Sequence, residues 1–431
     1  MKGFRVSSVV SHVDWAAQFG NWGEVGVQRI VDKCVSAGIT RIYWRAFGGG
    51  LAMYQSRLEQ PWHHSDVDRF RHKVDYNAML SEGARSQWGK PQPRTTTLDY
   101  RTWDPLDLAV HYCRERGIEL IAWYTLNEED HGYVGLLGTF ARAHPEYAWV
   151  ARDGTARFTN DSFGFPEVRS HKLAIVRELL DYGVDGLMLD FIRRAGRYRV
   201  LNEKIVNFPY YWDDDEACQY GYEAPIVEAF RAATGLDPHA LSNGDERWIR
   251  FRAGYNTLML REIREQCKDQ PKFDLSVLVF PPAVLDLQGH MYAYGDGLNN
   301  SALNTPPGLH NNLCAALVDV DDWAREKLVD GIAPMISPHY TTTGTWRSRP
   351  EALVPEASEL RRQIGDGVEL RAGVYCYNTD AEHIEAIFRQ AAELGTDELI
   401  LFETTPLQMS GHGMGGGMWA KLADLSEIYC R

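Results

Sequence analysis

The chain has 431 residues, 44% of them hydrophobic and 24% charged, an ordinary balance for a globular protein with room for a large core. A formal net charge of -14 excludes a surface built to grip a phosphate backbone, so nucleic acid is not among the expected partners. No stretch is as long and apolar as a membrane span requires, which excludes a spanning helix from the expected organisation.

The opening residues, MKGFRVSSVV, lack an apolar signal segment and run directly into a strand pattern. From there the chain alternates short apolar runs with longer amphipathic stretches. Eight runs rich in Val, Ile, Leu and aromatic residues read as buried parallel strands. They are Phe4–Val10, Thr40–Ala46, Glu119–Tyr124, Asp185–Asp190, Leu275–Phe280, Ile332–Ser337, Leu370–Cys376 and Glu398–Phe402. Helical periodicity falls between them, at Val25–Ala37, Pro105–Arg116, Glu167–Tyr182, Trp323–Val329, Pro355–Ile364 and Ala381–Leu394. Gly38, Gly117, Gly183, Gly331, Gly367 and Gly395 stand where a helix would stop and the next strand begin. Eight strand–helix units predict an α/β fold, a (β/α)8 TIM barrel spanning residues 1–431 as a single catalytic domain. No GxGxxG follows the first strand, which leaves a nucleotide-binding sheet without its signature.

Three connections are long: those after strand two (48–102), strand four (193–222) and strand five (281–320). All follow strand C-termini, the face on which barrel enzymes assemble their sites. With 13 Trp and 21 Tyr in the chain, an aromatic-lined cleft for sugar rings is one reading and a large core the other.

The polar residues at the carboxyl ends of the strands are the candidates for chemistry. Strand one leads to His12 and Asp14, strand two to Arg45, and strand three to Trp123, Tyr124, Asn127, Glu128 and Glu129. Strand four ends in Asp190, followed by Arg193 and Arg194; strand six leads to His339 and Tyr340, and strand eight to Glu403. Asp190 closes the run VDGLMLD, where a charge fills no core and would be costly if buried without purpose. The bland alternative is a salt bridge to Arg45 or Arg193. Asp185, in the same run, belongs to the opposite end of the barrel. Glycosidic cleavage needs two carboxyl groups flanking one bond. Glu403 and Glu128 are the preferred partners of Asp190, with Glu129 and Asp14 as further choices. Asp14, Arg45, Trp123, Arg193, His339 and Tyr340 are the expected substrate contacts, with Trp123 as the sugar platform.

Several of these stretches belong to a recognisable pattern. WRAFGGGLAMYQS (44–56), DPLDLAVHYCRERGIELIAWYTLNEE (104–129), HPEYAWV (144–150), FPEVR (165–169) and YGVDGLMLDFIRR (182–194) occur in order, followed by WIRFRAGYNTLMLREIRE (248–265) and DGIAPMISPHY (330–340). Taken together the chain resembles the glycosyl-hydrolase-like barrel proteins sometimes called glycosyl-hydrolase-like family ten. The resemblance implies a (β/α)8 barrel with a carbohydrate-active mouth. It matches Asp190 to the aspartate ending strand four, and Arg45, Tyr54 and Ser56 to the second-strand motif, which implies Tyr54 as a further substrate contact.

The expected activity is therefore that of a glycoside hydrolase acting on an oligo- or polysaccharide without a cofactor. One alternative is a metal-dependent hydrolase or sugar isomerase using His12, Asp14, Asp190, His339 and Glu403. Another is a sugar-binding barrel without catalysis. The seven cysteines are odd in number and include no CxxC pair, so they read as reduced, buried thiols and a cytoplasmic setting is expected. The oligomeric state is not legible from the chain.

Overall fold

The computed structural model describes residues 3–11, 23–61, 101–129, 137–154, 156–190, 192, 197–201, 204–208, 220–242, 244–270, 272–279, 313, 317–336, 339–340, 346–376, 379–402, 404 and 417–430. Eight parallel strands close into a barrel. They are β1 (Arg5–Val10), β2 (Arg41–Arg45), β3 (Glu119–Thr125), β4 (Gly186–Asp190), β5 (Asp274–Val279), β6 (Gly331–Ile336), β7 (Glu369–Tyr375) and β8 (Glu398–Phe402). Each pairs with its sequence neighbours, and β8 returns to β1 with Arg5 opposite Glu398. The α/β class, the (β/α)8 barrel and all eight strand positions expected from the sequence are present. The long connections after β2, β4 and β5 lie largely outside the described residues.

The helices that cover the strands are α1 (Glu24–Ser36), α2 (Pro105–Glu115), α3 (Pro166–Asp181), α4 (Ala224–Thr234), α5 (Glu246–Cys267), α6 (Val320–Arg325), α7 (Leu353–Ile364), α8 (Ala381–Leu394) and α9 (Gly417–Tyr429). Their starts follow local chemistry. Asp104 accepts from the backbone N–H groups of Leu106 and Asp107 at 3.0 and 3.2 Å, with Pro105 in the first turn of α2. Asp380 caps α8 in the same way through His383 N–H at 2.9 Å. The helix expected at 323–329 begins earlier and ends earlier, because Asp319 caps it through Asp322 N–H. Gly38, Gly117, Gly183 and Gly395 do take positive φ after their helices. Gly331 and Gly367 do not. Gly365 takes the left-handed turn after α7, and Gly331 is small for a different reason: a Cβ there would lie 2.1 Å from Arg371 Nε.

Alternation along the strands sends one set of side chains to the helices and the other into the barrel. Contacts between strands that are not neighbours identify the inward set. At the N-terminal end, Arg41 on β2 reaches Asp274 on β5 at 3.3 Å and Glu398 on β8 at 3.0 Å. Arg371 on β7 forks onto Asp274 at 2.6 and 2.5 Å. At the C-terminal end, Trp123 on β3 meets Phe402 on β8 with ring centroids 5.3 Å apart. The barrel is thus charged at its floor and aromatic at its mouth. Trp44 falls on the outward set of β2 and packs fully buried among the helices.

Candidate active site

The mouth is built from inward residues at or near the C-terminal ends of five strands. Arg45 ends β2, Trp123 lies near the end of β3, Asp190 ends β4, Tyr375 ends β7 and Phe402 ends β8. Asp190 stands opposite Thr125 in the β3–β4 register, and the carbonyl of Asp190 accepts from Leu126 N–H at 2.8 Å. That backbone bond holds the two strand ends together at the rim. Trp123 Nε1–H donates to Asp190 Oδ2 at 3.2 Å. Asp190 is 3% exposed and Trp123 4%. Phe402 contacts Trp123 edge-on and is itself covered by Tyr375 at 4.9 Å. Tyr375 in turn donates its hydroxyl to Met335 Sδ at 3.2 Å. The result is a run of three touching rings whose first member, Trp123, bonds the carboxylate.

Arg45 takes a position that the sequence left open. It forms no ion pair among the described residues. Its Nε–H donates to Phe47 O at 2.9 Å, and its guanidinium carbon sits 4.7 Å over the Trp123 ring. The guanidinium rests on the indole as a cation–π contact.

Glu128 lies just past the end of β3 and is buried. Its neighbour Glu129 is committed elsewhere: it pairs with the buried ammonium of Lys172 on α3. Burial alone would lower Lys172, but Glu129 and the neighbouring groups hold it charged. Asp161 adjoins this pair; burial and the charge of Glu129 push it well above the usual carboxylate range. Burial would also raise Glu59, yet His171, bonded to it at 2.8 Å, and Lys172 keep it below its ordinary value. Glu59 also accepts from Thr139 and Phe140 N–H at 2.5 and 3.2 Å. These groups pin the segments after β2 and β3 to α3, and they brace the mouth from outside the barrel.

Tyr54 is corrected by the same geometry. It is fully buried, and its hydroxyl donates to Glu178 Oε2 on α3 at 2.9 Å, beside Ser56 Oγ at 2.6 Å. Tyr54 and Ser56 anchor the segment after β2 to a helix and are turned away from the mouth. Asp185 sits at the opposite end, as expected, where its Oδ2 accepts from Leu120 N–H at 2.8 Å. His339 and Tyr340 form a two-residue strand paired with Trp346–Arg347, and their side chains lie outside the described residues. His12, Asp14, Arg193, Arg194 and Glu403 also lie outside them. The metal alternative therefore keeps only Asp190 among its described side chains. Among the described residues, no group of three or more His, Cys, Asp or Glu is arranged to hold a metal ion.

The hydrogen bond from Trp123 to Asp190, the neighbouring Thr125 and the covering Phe402 were not anticipated. The signal was available: with Asp190 inward at a strand end, two-residue alternation on the adjacent strand also turns Trp123 and Thr125 inward. Of the cysteines, Cys34, Cys113, Cys267 and Cys376 are buried free thiols, and Cys430 is exposed.

No family model matches the chain, and no curated protein matches it in sequence. Solved structures do match in fold. The catalytic domain of a β-amylase from Paenibacillus polymyxa is similar over 99% of this chain and 99% of its own, with a TM-score of 0.56 at 11% identity. The PgaB (BpsB) glycoside hydrolase domain from Bordetella bronchiseptica is similar over 92% and 93%, with a TM-score of 0.52 at 13% identity. A β-galactosidase from the psychrophilic Marinomonas ef1 covers 98% of this chain but 59% of its own, with a TM-score of 0.51 at 10% identity. The chain has the closed eight-stranded parallel barrel fold that these structures share. At such identities the likeness establishes fold alone.

Proposed function

We propose that the protein is a glycoside hydrolase that cleaves a glycosidic bond in an oligo- or polysaccharide, with the whole chain serving as one catalytic barrel. The observation that carries this reading is Asp190: a buried, inward carboxylate at the C-terminal end of β4, held by the indole N–H of Trp123 at 3.2 Å. Strand C-termini are where barrel enzymes carry their catalytic groups. The named activities of the fold neighbours, a β-amylase, a glycoside hydrolase domain and a β-galactosidase, support a carbohydrate substrate.

Hydrolysis of this kind divides the work between two carboxyl groups. A protonated acid gives its proton to the glycosidic oxygen as the C–O bond breaks. An ionised carboxylate either attacks the anomeric carbon or takes a proton from the attacking water. Asp190 fits the second task. The acid is Glu403, which follows β8 in the sequence, or Glu128, which lies just past the end of β3. Asp14, Arg193, His339 and Tyr340, which follow strand ends in the sequence, remain candidate substrate contacts.

Asp190→Asn tests the reading. The wild-type protein is first screened on aryl glycosides and on plant and algal polysaccharides. On a substrate it hydrolyses, the variant should lose at least about 100-fold in rate with its melting curve unchanged. An active, normally folded Asp190→Asn protein would remove Asp190 from the chemistry.

A further inference from the structure

Trp123 is arranged for a task other than stacking on a sugar. A platform needs an open face, but only 4% of this residue is exposed. One face lies under the Arg45 guanidinium at 4.7 Å, and Phe402 meets the ring edge-on at 5.3 Å with planes 73° apart. Its single polar atom is turned into the wall, where Nε1–H reaches Asp190 Oδ2 at 3.2 Å. An indole nitrogen only donates, so this bond always asks for an acceptor oxygen and favours the ionised carboxylate. The Arg45 cation over the same ring adds positive potential beside that anion.

We propose that Trp123 is a positioning residue that holds Asp190 oriented and ionised through its indole N–H, with Arg45 and Phe402 fixing the plane of the ring. The inference rests on the reading of Asp190 as a reacting carboxylate and narrows it. Asp190 is the nucleophile or base, and the proton for the leaving group comes from the other acid. It also reassigns Trp123 from substrate contact to support, and it gives Arg45 a part in the same assembly.

Two measurements test it. In protein labelled with 15N-tryptophan, 13 indole N–H signals are expected, and Trp123→Phe identifies one by its loss. That signal should shift as the pH is lowered, and Asp190→Asn should both displace it and abolish the pH-dependent shift. Should Trp123→Phe not fold, Arg45→Met identifies the same signal by removing the cation above the ring. An indole signal that ignores Asp190→Asn would overturn the proposal. The second measurement uses any glycoside that the wild type hydrolyses. Trp123→Phe should lower kcat about 10-fold or more, leave KM within about 3-fold, and move the acid limb of the pH–rate profile upward. A sugar platform would instead raise KM with kcat and the pH profile unchanged, and that result would refute the positioning role. The two readings fail separately. No turnover of any glycoside, with the indole still responding to Asp190→Asn, counts against the hydrolase alone. A hydrolase silenced by Asp190→Asn but indifferent to Trp123→Phe counts against the positioning role alone.

Discussion

Glu223 shows how far a single buried carboxyl can set the response of this fold to pH. It stands at the N-terminal boundary of α4 in a buried position, where its side chain makes no bond to the helix and Oε1 accepts from Val150 N–H at 2.6 Å. Burial pushes it up to about 7, against the pull of the Val150 N–H and of Arg252. The folded protein therefore keeps a proton here that an unfolded chain gives up near its ordinary value of 4.5. Its contribution to stability is full below that value and is lost as the pH rises through about 7. Glu223→Gln, which cannot ionise, should raise the urea midpoint relative to wild type at pH 8 and much less at pH 5. Equal differences at the two pH values would mean that Glu223 is ionised in the folded protein. Tyr54 teaches the opposite lesson about legibility at this scale. Its hydroxyl is taken by a glutamate 124 positions away, and nothing in the local run MYQS announces that contact.

Three strands begin with the same device. Asp185, Asp330 and Asp397 directly precede or open the even strands β4, β6 and β8. Each gives its backbone N–H to the preceding odd strand, at Leu120, Leu275 and Leu370 O, over 2.7 to 2.9 Å. Each then accepts that same leucine's N–H through Oδ2, at 2.8, 2.9 and 2.9 Å. The backbone and the side chain together close a small ring that pins neighbouring strands at the floor of the barrel. Arg264 forks onto Asp330, and Arg361 reaches Asp397, so a helix joins two of the three clamps. Asp397→Ala removes the acceptor of Leu370 N–H and the partner of Arg361 together, and it should cost about 1–3 kcal/mol in urea unfolding. Asp185 is exposed, so water can replace its oxygen and Asp185→Ala should cost less. Neither should alter turnover, because the clamps lie at the end away from Asp190. The element pattern itself was readable, since strand and helix periodicities differ and VDG recurs before β4 and β6. That the aspartate reaches back to the strand before it depends on register, which no single stretch encodes.

At the scale of the whole barrel, closure rests on the charged floor. Glu398 is completely buried and accepts from Tyr43 OH at 2.7 Å, Arg5 at 2.9 Å and Arg41 at 3.0 Å, with Arg371 at 3.5 Å. Burial opposes its charge, but these arginines outweigh it and hold the carboxyl below its ordinary range. The sign follows from that direction. The ionised group contributes stability above the unfolded value of 4.5, and the contribution is lost as the pH falls through the lower folded value. Glu398→Gln leaves buried arginines short of an anion and should destabilise the barrel by about 3–5 kcal/mol at neutral pH. Its urea midpoint should also change less than that of wild type between pH 6 and pH 3. A variant as stable and as acid-sensitive as wild type would show that the network is not what ties β8 to β1 and β2.

The sequence alone determined the number, order and direction of the staves. Hydrophobic runs, intervening amphipathic periods and helix-stopping glycines are properties of short stretches, and a parallel barrel arranges them in chain order. It also singled out Asp190, because a charge closing an apolar strand is conspicuous within a few residues. Only the tertiary structure decided what surrounds that charge. Trp123 beneath Arg45, Glu129 given to Lys172 and Tyr54 given to Glu178 all join residues far apart in the chain. Such pairings depend on which strand faces which across a closed ring, and that geometry exists only once the chain has folded.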